Sequence, residues 1–324
     1  MKKDSNKNNF VRMKVIPFLC IVVAMLFVAC SKNEEVLNER SVEAKISGGI
    51  SLPQTRANGN QWETDKIGVM AISSSLTGSL MPNLYKNVAY STVATGAVSA
   101  NFTPENGKIL FQQPNETVTF AAYGPYQTST ADNTLPGNNG VINNNTLDQN
   151  TREKQKALDY IYASGATASK TNPNIQFKEG AAFAHKMARM IIVVTNTHEE
   201  VIPDDSYIRY ISHQGSFNVA TGIAKAEGGY ANYTQLSSAL RTGEREFTFI
   251  LYPQKLKKFQ AAFQVGGWYY SNQDNDAFEN LELLSGYSYK ITYAIKVRSK
   301  SASDRSASDR PELKLEGFEV SRWE

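Results

Sequence analysis

Past residue 40 the sequence shows no sustained helical stripe of apolar side chains. Short apolar runs recur instead at roughly 8–15-residue spacing, with Asn, Ser, Gly and Thr crowded between them. Runs of that length bounded by turn-forming residues pair as antiparallel strands. They build sandwiches rather than the alternating strands and helices of a parallel sheet. Strongly apolar runs lie at 66–72 and 190–195, and others at 117–123, 247–252 and 287–297. Shorter ones lie at 42–46, 85–90, 108–111, 158–163, 175–177, 207–211, 216–219, 259–265 with 268–270, and 313–323. The best helical candidate is the short segment 232–240. Residues 127–150, rich in Asn, Thr, Gly and Asp, read as a long loop. The expected fold class is all-β.

The first 29 residues stand outside that pattern. Lys2, Lys3, Lys7, Arg12 and Lys14 precede an apolar stretch from Val15 to Ala29. A basic start, a short apolar core and a small residue before the cut describe a secretory signal peptide. At about 15 residues the apolar core is shorter than the roughly 20 that cross a bilayer as a helix, and Pro17 disfavours a long helix. An uncleaved membrane anchor is the alternative reading. The end of the segment resembles a bacterial lipoprotein signal, with a lipobox closing on Ala29-Cys30 and Phe27 where Leu is usual. The resemblance implies lipidation, palmitate included, on Cys30. The following Ser31-Lys32-Asn33-Glu34-Glu35 resembles the surface-export signal of Bacteroidetes lipoproteins.

Without residues 1–29, which carry five basic residues and Asp4, the formal charge falls from +3 to −1. No basic stripe remains to track a phosphate backbone, so nucleic acid is not an expected partner. Cys20 lies in the leader, leaving Cys30 as the one cysteine of the mature chain, which must rely on apolar cores rather than disulfides. A composition break near 175–185 suggests two domains.

Chemistry-bearing motifs are sparse. His185, His198 and His213 have no pair at zinc-site spacing, and His185 reads as structural. There is no Gly-x-Ser-x-Gly elbow and no phosphate-cradling loop. We therefore expect no catalytic residue, no metal ligand and no cofactor, and a protein that is not an enzyme. Asp204-Asp205 and Asp274-Asn275-Asp276 suit turns, or weak calcium binding. Trp268-Tyr269-Tyr270 suits core or rim packing, or a sugar-stacking platform. The duplicated pentapeptide at 301–305 and 306–310 reads as an enlarged surface loop.

An ordered set of segments carries a family resemblance. It begins with Thr55-Arg56-Ala57, Trp62 and Asp65-Lys66-Ile67-Gly68-Val69, then Tyr85-Lys86-Asn87-Val88, Tyr90 and Phe102-Thr103-Pro104. Segment 118–123 runs into Pro125-Tyr126, and Asp159-Tyr160-Ile161-Tyr162-Ala163 and Phe183-Ala184-His185-Lys186-Met187-Ala188 follow. Segment 216–222, Tyr252-Pro253-Gln254, Gly286-Tyr287-Ser288-Tyr289 and Trp323 complete it. Together they resemble the fimbrillin family, the pilus subunits of Bacteroidetes.

The resemblance implies two tandem transthyretin-like antiparallel β-sandwich domains, 57–178 and 179–324, behind a propeptide at 30–56. It further implies a lipoprotein precursor exposed on the cell outer membrane and held there by the lipid on Cys30. An Arg-specific protease would cut after Arg56, with Arg40 as second candidate, and remove the strand at 42–52. The groove left behind would take a strand from another subunit, in a homo- or hetero-polymer. A missing strand leaves unpaired backbone groups beside an apolar channel, and a donor satisfies both. Leu313, Leu315, Phe318, Val320 and Trp323 are the donor candidates. Leu313 and Leu315 share one phase and Phe318 and Val320 the other, and a bulge at Gly317 would restore one face. The same segment also suits a plain final strand. The implied function is a stalk or tip subunit of a surface fimbria that supports adhesion to a host or bacterial surface ligand. The alternatives are a monomeric surface lipoprotein that binds glycans or host proteins, and an anchor subunit that keeps its lipid and first strand.

Overall fold

A computed structural model describes residues 41–50, 61–63, 65–196, 205–241, 243–265, 268–272, 277–296 and 312–323. The fold is all-β, with sheets packed as β-sandwiches. The first large sheet uses β1 (Lys45–Gly49), β2 (Lys66–Ser74), β3 (Val88–Ser91), β4 (Ser99–Asn106) and β5 (Thr117–Gly124). Next in sequence come β6 (Val141–Asn145) and β7 (Asp148–Gln149), then β8 (Ile161–Ser169), β9 (Asn174–Phe177) and β10 (Ala184–His185). The eight-stranded order is β9-β1-β4-β3-β2-β5-β8-β10.

The remaining strands are β11 (Ala188–Asn196), β12 (Asp205–Arg209), β13 (Ser212–Asn218), β14 (Ile223–Tyr230) and β15 (Thr234–Arg241). They continue with β16 (Glu244–Leu251), β17 (Gln260–Val265), β18 (Trp268–Ser271), β19 (Tyr287–Lys296) and β20 (Glu312–Arg322). A six-stranded sheet runs β7-β15-β16-β11-β19-β20, and three-stranded sheets run β6-β13-β14 and β12-β17-β18.

Two large cores divide the apolar residues. One draws on residues from Ala44 to Phe183, the other on residues from Ala188 to Leu313. A third cluster joins them, built on Met70, Ala121, Tyr123, Tyr160, Phe217, Ile250 and Tyr252, with Trp323. This explains why several strands read as nearly continuous apolar runs. In β5, Val118, Phe120 and Ala122 enter the first core while Ala121 and Tyr123 enter the joint. In β16, Phe247, Phe249 and Leu251 enter the second core while Ile250 enters the joint. A strand buried on both faces needs no polar alternation.

Two sequence expectations are corrected. Residues 127–150 are not one long loop. β6 pairs antiparallel with β13 and β7 pairs parallel with β15, so the chain crosses the joint here. The Gln149 side chain locks the crossing, donating from Nε2 to the Ile250 carbonyl (3.0 Å) and accepting from the Ile250 N–H. The segment's Asn residues point outward and carry no apolar signal; long-range pairing makes the strand. The segment 232–240 is not helical either. It forms β15, paired antiparallel with β16, and its Thr and Ser residues are poor helix formers. A helix at Arg152–Leu158 went unforeseen, although Thr151 caps it by accepting from the Lys154 N–H (3.2 Å) and Glu153 sits in its first turn.

Candidate functional site: the first and last strands

β1 lies between two neighbours, not at an edge. It pairs antiparallel with β4, Ile46 opposite Phe102 and Gly48 opposite Ala100, and parallel with β9, Ile46 beside Ile175. Its approach is fixed as well: Val42–Glu43 pairs with Leu110–Phe111, and the Ala44 N–H donates to the Ile109 carbonyl (2.9 Å). Alternation is strict. Ala44, Ile46, Gly48 and Ile50 are buried, while Lys45, Ser47 and Gly49 face outward.

The buried face meets a cage of aromatic rings. Trp62 packs edge-on against Phe102 (4.9 Å) and Phe183 (5.2 Å), and its Nε1 donates to the Gly48 carbonyl (3.1 Å). A Cβ on Gly48 would stand 2.8 Å from the Phe183 ring, so the strand needs glycine where the rings close in. Without the strand, β4 and β9 would each present an unpaired edge beside these rings.

β20 is built differently. Among the described residues it is the edge strand of its sheet, paired only with β19. A bulge at Glu316–Gly317 shifts the register: Gly317 faces Thr292 and Leu315 faces Tyr293. Leu313, Leu315, Phe318 and Val320 thereby oppose Ile295, Tyr293, Ile291 and Tyr289, all core residues on one face of β19. Leu313 is buried, whereas Leu315, Phe318 and Val320 are 38–48% exposed. Trp323 closes the strand in the joint. Its ring stacks on His185 (4.3 Å, 6° between planes) under the Arg189 guanidinium (5.2 Å), and the Trp323 backbone N–H donates to the Gly286 carbonyl (2.7 Å).

The ends of both strands reach one cleft of about 640 Å³ between the two large cores. Ile50, Trp62, His185, Arg189 and Trp323 line it. His185 Nδ1 lies 2.8 Å from Asp159 Oδ1, which orients the ring against Trp323, a structural role. His213 is buried in the fold, and desolvation lowers its pKa. At the joint, burial raises the pKa values of Tyr123, Tyr160 and Tyr252 above the ordinary phenol value.

Among the described residues no three potential metal ligands converge. Cys30, Arg40, Arg56, His198, Asp204, the 274–276 cluster and the repeat at 301–310 lie outside the described residues. Tyr269 and Tyr270 do not form a continuous platform: they alternate, Tyr270 into the core and Tyr269 to the surface. The cage and the Trp323 stack unite residues that were singled out separately in the sequence, Trp62 with Phe102 and Phe183, and His185 with Trp323. Sequence reading missed Arg189, whose only signal was its place at the start of a buried strand.

A family model described as fimbrillin-like matches residues 55–308. The chain belongs to the fimbrillin-like family. Solved structures share the fold. A Bacteroides ovatus protein assigned to cell adhesion superposes with a TM-score of 0.67 at 25% identity, covering 87% of this chain and 98% of that one. A second, from Bacteroides uniformis, gives 0.60 at 19% identity, covering 88% and 99%. A third, from Bacteroides fragilis, gives 0.53 at 13%, covering 85% and 97%; these two speak to the fold alone. No curated protein sequence matches the chain. Membership of a fimbrillin-like family supports a subunit of a cell-surface fimbrium that associates with other fimbrial subunits. It suits a structural protein rather than an enzyme.

Proposed function

We propose that this fimbrillin-like chain is a stalk or tip subunit that polymerises by strand exchange after export as a lipoprotein. Lipid on Cys30 tethers the precursor to the outer membrane, and an Arg-specific protease cuts after Arg56. The leaving piece is 30–56, with β1 in it, and the mature subunit divides into domains at 57–178 and 179–324. The observation that carries this reading is the setting of β1. It is a short strand held between β4 and β9 by backbone pairing and four small or apolar side chains, in front of the segment that holds Arg56. That setting asks a replacement strand for small and apolar side chains at alternate positions and for its smallest residue where the Phe183 ring closes in, a pattern that a strand of another subunit can supply.

β20 is the donor candidate. Leu313, Leu315, Phe318 and Val320 share a face, three of them half-exposed, and the strand has one free edge. Donation requires Trp323 to leave the joint, so release of that ring is the step that limits it.

Incubating the precursor with an Arg-specific protease and resolving the product on denaturing gels tests the proposal. Ladders of multimers, abolished by Arg56→Ala, support it. A trimmed protein that stays monomeric overturns polymerisation, and trimming elsewhere overturns the Arg56 assignment.

A further inference from the structure

We infer that the outer face of the β12-β17-β18 sheet is a binding platform for an acidic saccharide, a sugar bearing a carboxylate. The inner face of this sheet belongs to the second core through Ile208, Ala261, Phe263 and Tyr270. Alternation therefore sends Tyr207 and Arg209 of β12, Gln260 and Gln264 of β17, and Tyr269 and Ser271 of β18 to the other side.

Those outward residues are unusual for a solvated face. Tyr269 is 56% exposed, and its ring lies 5.7 Å from that of Tyr207 at an angle of 45°. The Arg209 guanidinium stacks on Tyr207 at 4.5 Å. Ala262, cross-strand partner of both Tyr207 and Ser271, is fully buried, so the rings stand on a filled floor and the site is a platform rather than a pocket. Tyr210 follows at 46% exposure with φ at 66°, a left-handed conformation uncommon for a bulky residue.

Each part matches a part of such a ligand. The exposed ring of Tyr269 and the partly buried ring of Tyr207 beside it offer apolar faces to the C–H face of a pyranose ring. Partly buried Gln260 and Gln264 offer both donors and acceptors to sugar hydroxyls. A guanidinium stacked on an aromatic ring is held flat, with its N–H fork free to meet a carboxylate along its plane. Exposed Lys257 and Lys258 precede Gln260, the cross-strand partner of Arg209, and make that end of the platform cationic. The aromatic pair selects a ring and the basic end selects an acid.

Binding to the full precursor would be measured by calorimetry with four probes: an oligogalacturonate hexamer, its methyl-esterified neutral form, 3′-sialyllactose and lactose. Poly-glutamate serves as the control anion. An acidic probe is expected to bind and its neutral counterpart to bind more weakly, with the stronger acidic probe naming the source of the carboxylate. Arg209→Gln should weaken the acidic probe by roughly tenfold while sparing the neutral one. Tyr269→Ala should weaken both by about fivefold. Both positions are exposed, so unchanged thermal unfolding of the variants separates these effects from misfolding. No binding of any saccharide at millimolar concentration overturns the inference. So does equal binding of poly-glutamate, or saccharide binding that neither substitution alters. None of these outcomes bears on strand exchange, which the protease assay reads independently.

Discussion

The first and last long strands among the described residues are opposite solutions to holding a strand in a sheet. β1 is paired on both sides and sealed by aromatic rings, and its side chains are small: Ala44, Ile46, Gly48 and Ile50. β20 is paired on one side and carries large side chains that remain half-exposed, yet its end is pinned by one buried tryptophan. In β1 the binding energy lies in the cage around the strand; in β20 it lies in the strand's own terminal residue. A site that supplies the packing accepts any strand of suitable pattern, whereas a strand that supplies its own rivet stays where it is until the rivet lets go.

The comparison breaks most sharply at the two tryptophans. Trp62→Ala removes the centre of the cage and its hydrogen bond to Gly48, and should cost about 3–5 kcal/mol of stability by denaturant unfolding. Trp323→Ala should cost less, about 2–3 kcal/mol, because it empties only the margin of the joint. It should also raise hydrogen exchange along 312–322 without altering exchange at 45–49. If instead Trp323→Ala loosened β1 and left β20 protected, the contrast would be wrong.

Alkali should act on the joint in the same sense. Burial raises the pKa values of Tyr123, Tyr160 and Tyr252, so the folded state keeps these phenols neutral while the unfolded chain ionises them near the ordinary value of 10.0. Their contribution is fully present below that pH and is lost as pH rises through the folded values. Tyr90, in the core that β1 closes, is pushed up to about 12, chiefly by desolvation. Stability followed from pH 9 to 12 should therefore fall, with the tyrosinate absorbance of these buried phenols rising together with unfolding rather than ahead of it.

The two strand glycines sharpen the contrast at smaller scale. Gly48→Ala presses a Cβ to within 2.8 Å of the Phe183 ring and should cost about 1–3 kcal/mol. Gly317→Ala meets nothing nearer than 3.7 Å and should stay within about 0.5 kcal/mol. Smallest of all, Lys108→Ala removes an exposed ion pair with Glu43 beside the first strand (2.7 Å) and should shift stability by under about 0.5 kcal/mol.

The sequence made some of this legible. β2, β5, β11, β16 and β19 announce themselves because each buries apolar residues densely enough to be seen locally. The bulge in β20 was readable from the change of phase across Gly317, since two apolar pairs out of step can share a face only if one residue is set aside. What stayed hidden depends on partners distant in sequence. β6 is a strand only because β13 lies beside it, and its Asn residues face solvent. β15 places Tyr233, Leu236 and Leu240 at helical spacing just before and within a segment that β16 holds extended. The cleft that Ile50 and Trp323 both line draws on the first and last described segments, and no local pattern could announce it.

The central claim is that β1 is a replaceable strand removed with its propeptide. The most direct test is the N-terminus of the protein recovered from assembled surface fibres, read by mass spectrometry of the terminal peptide. The account predicts that it begins at Ala57. A terminus at a lipid-modified Cys30, with β1 retained inside the fibre, would contradict it.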